Sequence, residues 1–122
     1  MDRAHFEKLV EEALAKLPAK FAERLENVSI LVEDWATPEQ LAKVDLKEPH
    51  HLLGLYEGIP LTERSRGYYG VLPDRITIFR IPIEEMSATD DDIRNQVRQT
   101  VMHELGHFFG MSEGRLRGDG MG

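Results

Sequence analysis

Apolar residues recur at spacings of three and four through the first part of the chain: Phe6, Leu9, Val10, Ala13, Leu14 and Leu17. A single apolar stripe of this kind predicts an amphipathic helix that starts near Asp2 and is halted at Pro18. Phe21 and Leu25 extend it as a short second turn. The period then changes. VSILVED (28–34) alternates and is rich in β-branched residues, which predicts a strand. TPEQLAKV predicts a short helix, with Thr37 as N-cap, Pro38 at the first helical position and Gln40 completing a capping box. Two further strands are expected at 52–57, where Gly54 marks a bulge or a close approach, and at 75–82. The segment between them, LTERSRGYYGVLPD, is turn-rich and reads as an exposed loop. The longest periodic run predicts a helix over 89–109. Thr89 caps it, Asp90, Asp91 and Asp92 suit its positive end, and Gly110 is a left-handed stop. The tail from about 117 reads as flexible. There is no internal repeat, linker or low-complexity tract, so the pattern predicts one α+β domain over 1–122. In it, a mixed sheet packs against an N-terminal and a C-terminal helix.

Composition narrows the function classes. The 122 residues carry a formal net charge of −7, which argues against nucleic-acid binding, since phosphate contacts need clustered Lys and Arg. No cysteine is present, which removes disulfides, thiolate nucleophiles and cysteine zinc sites. The charged N-terminus lacks the apolar run of a signal peptide, and no stretch reaches the ~20 apolar residues of a membrane span. A cytoplasmic protein with no pro-segment is expected, with oligomeric state left open.

The chemistry concentrates at HELGHFFGMSEG (103–114). On a helical wheel, Ile93, Val97, Val101, Leu105 and Phe108 form one apolar arc. His103 and His107 fall at its edge, roughly 40° apart, on the side of Gln96 and Thr100. They look toward a semi-polar cavity. Glu104 lies beyond His107, nearer the apolar arc, where little water surrounds it. Two histidines at i and i+4 give a rigid helix two ligands for one zinc ion, and a catalytic zinc needs a third protein ligand and one open position. Gly110 lets the chain turn back so that Glu113 can reach the metal, with Asp119 on the glycine-flanked tail as the weaker candidate. Glu104 would take a proton from metal-activated water and pass it to the leaving group. HExxH alone is short enough to arise by chance. The added glycine and acid, on a capped helix, make HExxHxxGxxE specific.

These residues resemble the active-site stretch of the zincin-like metallopeptidase family with a minimal matrix-metalloprotease-like domain, whose members carry HExxHxxGxx followed by Asp or Glu. LLGLYEGIPLTERS, DRITIFRIPI and TVMHELGHFFG occur in that family's order. The resemblance covers residues 52–116 and extends to the N-terminal helix and strand. It implies a small zincin-like fold with one Zn2+, His103 and His107 as zinc ligands, Glu113 at the third-ligand position and Glu104 as catalytic acid and base. Phe108 stands where members often have a second histidine after the ligand. Met111 and Met121 are no obvious floor beneath the metal.

Other polar residues carry weaker expectations. Arg66, Tyr68 and Tyr69 lie in the turn-rich loop as candidate donors to a tetrahedral oxyanion, against a plainer reading as loop packing. His50 and His51 read as a solvated turn, and His5 as surface. The leading expectation is a zinc metallopeptidase acting on a peptide or protein, with substrate added antiparallel to an edge strand at 52–57 or 75–81. The alternative is a zinc-stabilised, non-catalytic module that binds a protein. Metal-dependent RNA cleavage is a remote third, because a related helix motif there uses three histidines and lacks the glutamate.

Overall fold

The computed structural model describes residues 1–58 and 74–108. Helix α1 (Arg3–Leu14) is capped by Asp2, whose carboxylate accepts the His5 N–H at 2.8 Å, and it buries Phe6, Leu9, Val10 and Ala13. Pro18 separates it from the short α2 (Ala19–Arg24), which buries Phe21. Strand β1 (Val28–Glu33) is followed by α3 (Pro38–Lys43), where Thr37 and Gln40 form the expected reciprocal capping box. A 3-10 turn (Pro49–His51) leads into β2 (Gly54–Glu57). Strand β3 (Asp74–Phe79) runs directly into α4 (Arg80–Glu85), and α5 (Asp90–Phe108) closes the described chain.

The strand expected at 75–82 therefore ends at Phe79. The alternation continues through Ile81, yet from Arg80 the chain is helical. Pro82 is the third helical residue, in the first turn, where its missing N–H has no intrahelical partner to lose.

Among the described residues the sheet has the order β1-β3-β2. β3 pairs parallel with β1 and antiparallel with β2. β3 is thus central, and this corrects the expectation that 75–81 offers an edge to a substrate: both its sides are occupied. Among the described residues β2 lies at one edge of the sheet. Gly54 pairs with Ile78 and Tyr56 with Ile76, while the Phe79 N–H donates to the Leu53 carbonyl at 2.9 Å. Alternation then turns the backbone groups of Gly54 and Tyr56 away from β3.

Ile76 and Ile78 of β3 face the main core. There they meet Phe6, Leu9 and Val10 of α1 and Ile93, Val97, Val101 and Leu105 of α5. These four α5 residues belong to the predicted arc, and each is 2% exposed or less. Fully burying one such side chain contributes roughly 1.5–3 kcal/mol, an area-based upper bound. The packing fixes the rotation of α5 and hence the direction of every other side chain on it. The opposite sheet face holds a smaller cluster of Ala36, Leu41, Leu52, Leu55 and Phe79.

Candidate metal centre and its base

The placement of the site starts at the far end of α5. The Thr89 hydroxyl accepts the Asp92 N–H at 3.1 Å, and the Asp92 carboxylate accepts the Ala88 and Thr89 N–H groups at 2.9 and 3.2 Å. Asp91 pairs with Arg94, and Asp90 with His5 of α1. The three aspartates serve the helix start, as their position predicts. Arg94 also donates to Glu12 at 2.9 Å, so α5 is pinned to α1 well before the motif begins.

Three turns further on, His103 is buried and His107 exposed. Their ring centroids are 4.4 Å apart and their planes 78° from parallel. Two nitrogens bound to one zinc ion lie at most ~4.2 Å apart, so rings this close need only small rotations to converge on one ion. The pair fits a metal as donors: two imidazoles on one rigid helix, one in the protein and one facing water. Among the described residues no third His, Asp or Glu joins them to complete a metal-holding group. Glu113 and Asp119, the candidate third ligands, lie outside the described residues, as do Gly110, Met111, Met121, Arg66, Tyr68 and Tyr69.

Glu104 is held from another part of the chain. Its Oε1 accepts the outward-facing Tyr56 N–H of β2 at 2.9 Å. Burial pushes this carboxyl above its ordinary value. The Tyr56 hydrogen bond and the positive form of His107 pull it back only in part. The expectation that Glu104 stands where water is scarce is therefore met, and its partner is the backbone of an edge strand. Nothing in the sequence marks Tyr56 for this role, because a backbone N–H has no residue type. The one usable hint is Gly54 two residues earlier, whose position in a strand pattern signals a close approach. The Tyr56 hydroxyl donates to Asp74 at 2.8 Å, which ties β2 to the start of β3.

The remaining histidines lie elsewhere. His5 is exposed and pairs with Asp90 at 2.9 Å. His50 and His51 are exposed in the 3-10 turn, and His50 meets Glu85 at 2.6 Å and the edge of Trp35.

The chain matches the zincin-like metallopeptidase family over residues 25–121, which includes β1, both other strands and all of α5. It belongs to that family. A search of curated proteins found no match. Among solved structures, the chain is similar to a conserved hypothetical protein from Thermo thermophilus. Sequence identity is 24% and the TM-score 0.54, covering 93% of this chain and 99% of that one. At this identity the likeness speaks for the fold. Among the described residues no helix is long and apolar enough to cross a membrane.

Proposed function

We propose that the protein is a zinc-dependent peptidase in which His103 and His107 hold the ion, Glu113 completes its protein ligands, and Glu104 is the general base and acid. One observation carries the reading: the acid inside HExxH is a half-buried carboxylate with a raised pKa, oriented by a backbone donor, on the helix that carries two imidazoles with centroids 4.4 Å apart. A zinc ion in such a site supplies Lewis acidity and makes nearby water more acidic. Glu104 accepts the proton of the attacking water as its oxygen bonds to the scissile carbonyl carbon. It then delivers that proton to the amine nitrogen as the carbon–nitrogen bond breaks. A carboxyl pushed up by burial is better matched to this two-way transfer near neutral pH than an exposed one. With 75–81 excluded as an edge, β2 remains the candidate strand for an extended peptide, through backbone groups other than the Tyr56 N–H that Glu104 accepts.

The test is hydrolysis of a broad peptide library by the zinc-loaded full chain, with and without a chelator, beside Glu104→Ala. The expected result is chelator-sensitive hydrolysis in the wild type. Glu104→Ala should lose about 10²–10⁴-fold in kcat/KM at unchanged zinc content. Undiminished turnover in that variant would remove Glu104 from its role. A zinc-loaded wild type that cleaves nothing in the library would favour the non-catalytic module.

A further inference from the structure

Two contacts join α5 to β2 in step. At the first, Gly54 faces Thr100. A Cβ on Gly54 would stand 2.5 Å from Thr100 Cγ2 and 3.2 Å from the Thr77 carbonyl oxygen. Thr100 is only 2% exposed, so its methyl has little room to give way, and its hydroxyl meets Gln96 Nε2 at 3.3 Å. At the second contact, the Tyr56 N–H reaches Glu104. Two residues of strand advance ~6.6 Å and four residues of helix ~6 Å. The step from Gly54 to Tyr56 therefore matches the step from Thr100 to Glu104. The two contacts are successive rungs between strand and helix.

We infer that Gly54 and Thr100 are positioning residues for Glu104: the absent side chain at 54 lets α5 settle close enough for the Tyr56 N–H to hold the carboxylate beside His103 and His107. The catalytic consequence rests on the role proposed for Glu104; the geometry does not. A side chain at 54 requires a shift of about 1 Å to restore an ordinary carbon–carbon contact of ~3.5 Å, and with Thr100 buried that shift falls on the spacing between α5 and β2. A 2.9 Å hydrogen bond stretched by that amount is no longer one. Both histidines ride on the same helix and move together, so ion binding survives while the base loses its orientation. Simple space-filling at 54 would instead lower stability without singling out the base.

The experiment compares full-length Gly54→Ala, Thr100→Ser and the double variant. Serine at 100 removes the opposing methyl and keeps the hydroxyl. The readouts are the Tyr56 amide resonance in metal-free protein, zinc content, and kcat and KM of the zinc-loaded enzyme. In Gly54→Ala the Tyr56 amide is expected to move to the position it takes in Glu104→Ala. Its kcat should fall about 10–100-fold at unchanged KM and zinc content. The double variant should regain both the amide position and the kcat of Thr100→Ser. A Tyr56 amide unmoved by Gly54→Ala, or a double variant no better than the single one, overturns the inference. An inactive wild type would sink the proposed function and leave the amide shift to decide the geometry. If Gly54→Ala does not fold, the double variant is set against Thr100→Ser. A wild-type Tyr56 amide supports the inference, and one at the Glu104→Ala position overturns it.

Discussion

Glu57 and Glu104 both meet β2, one as the last residue of the strand and one from the helix beside it, yet they end in opposite states. Glu57 is 8% exposed at its side chain and is surrounded by donors: Lys43 at 2.6 Å, and Gln40 and Arg75 each at 3.3 Å. Burial alone would raise its pKa, but these three partners outweigh burial and hold it below the ordinary value. Glu104 is met by a neutral backbone N–H, and burial wins. Donors and depth together separate the two: charged partners hold Glu57 down, while Glu104 lies deeper among protein atoms and meets one neutral backbone donor.

The sharpest way to break this contrast is to remove each carboxylate in turn. Glu104→Ala should abolish most turnover, as above, while Glu57→Ala should leave kcat/KM near wild type and act on stability. Two of the three partners of Glu57 are well exposed, Lys43 at 57% and Arg75 at 47%, so water takes them back when the carboxylate goes. The expected cost is about 1–2 kcal/mol in denaturant unfolding, below the sum of three charge-assisted bonds. A Glu57→Ala protein as inactive as Glu104→Ala would erase the distinction.

Acid should reveal the same difference more gently. A carboxyl with a lowered folded pKa contributes stability that is fully present above its unfolded value, about 4.3, and that is lost as pH falls through the folded value. The stability difference between wild type and Glu57→Gln, followed in metal-free protein, should hold steady from pH 7 to about 5 and shrink below about 4.3. A difference that grows on acidification would contradict the lowered pKa. The smallest effect belongs to the exposed pair of His5 and Asp90, 44% and 45% exposed at their side chains. His5→Ala should change unfolding free energy by less than ~0.5 kcal/mol, marking the scale of an acid whose partner is surrounded by water.

Legibility in the sequence follows the range of the interactions. The capping box of α3, the apolar arc of α5 and the Thr89 start are local, and each stands where spacing places it. The pair His103 and His107 is legible for the same reason, since one helical turn sets their distance. Helix α4 is not: RITIFRIP keeps alternating past Phe79, and nothing in that pattern shows that the chain leaves the sheet at Arg80. Strand order is also hidden, because a central and an edge strand read alike, and only pairing reveals that β3 has neighbours on both sides. The donor to Glu104 is hidden most completely, being a main-chain group.

That donor gives the site two different histories in folding. The imidazoles sit on neighbouring turns of one helix and come together as soon as that helix forms. Glu104 and Tyr56 are 48 positions apart and meet only after a loop of that size has closed. On the proposed function, capturing the ion is a local event and placing the base a late, non-local one. A chain with α5 formed but not yet docked on β2 can hold zinc without cutting anything. Peptidase activity would then report that folding is complete, which metal content alone does not.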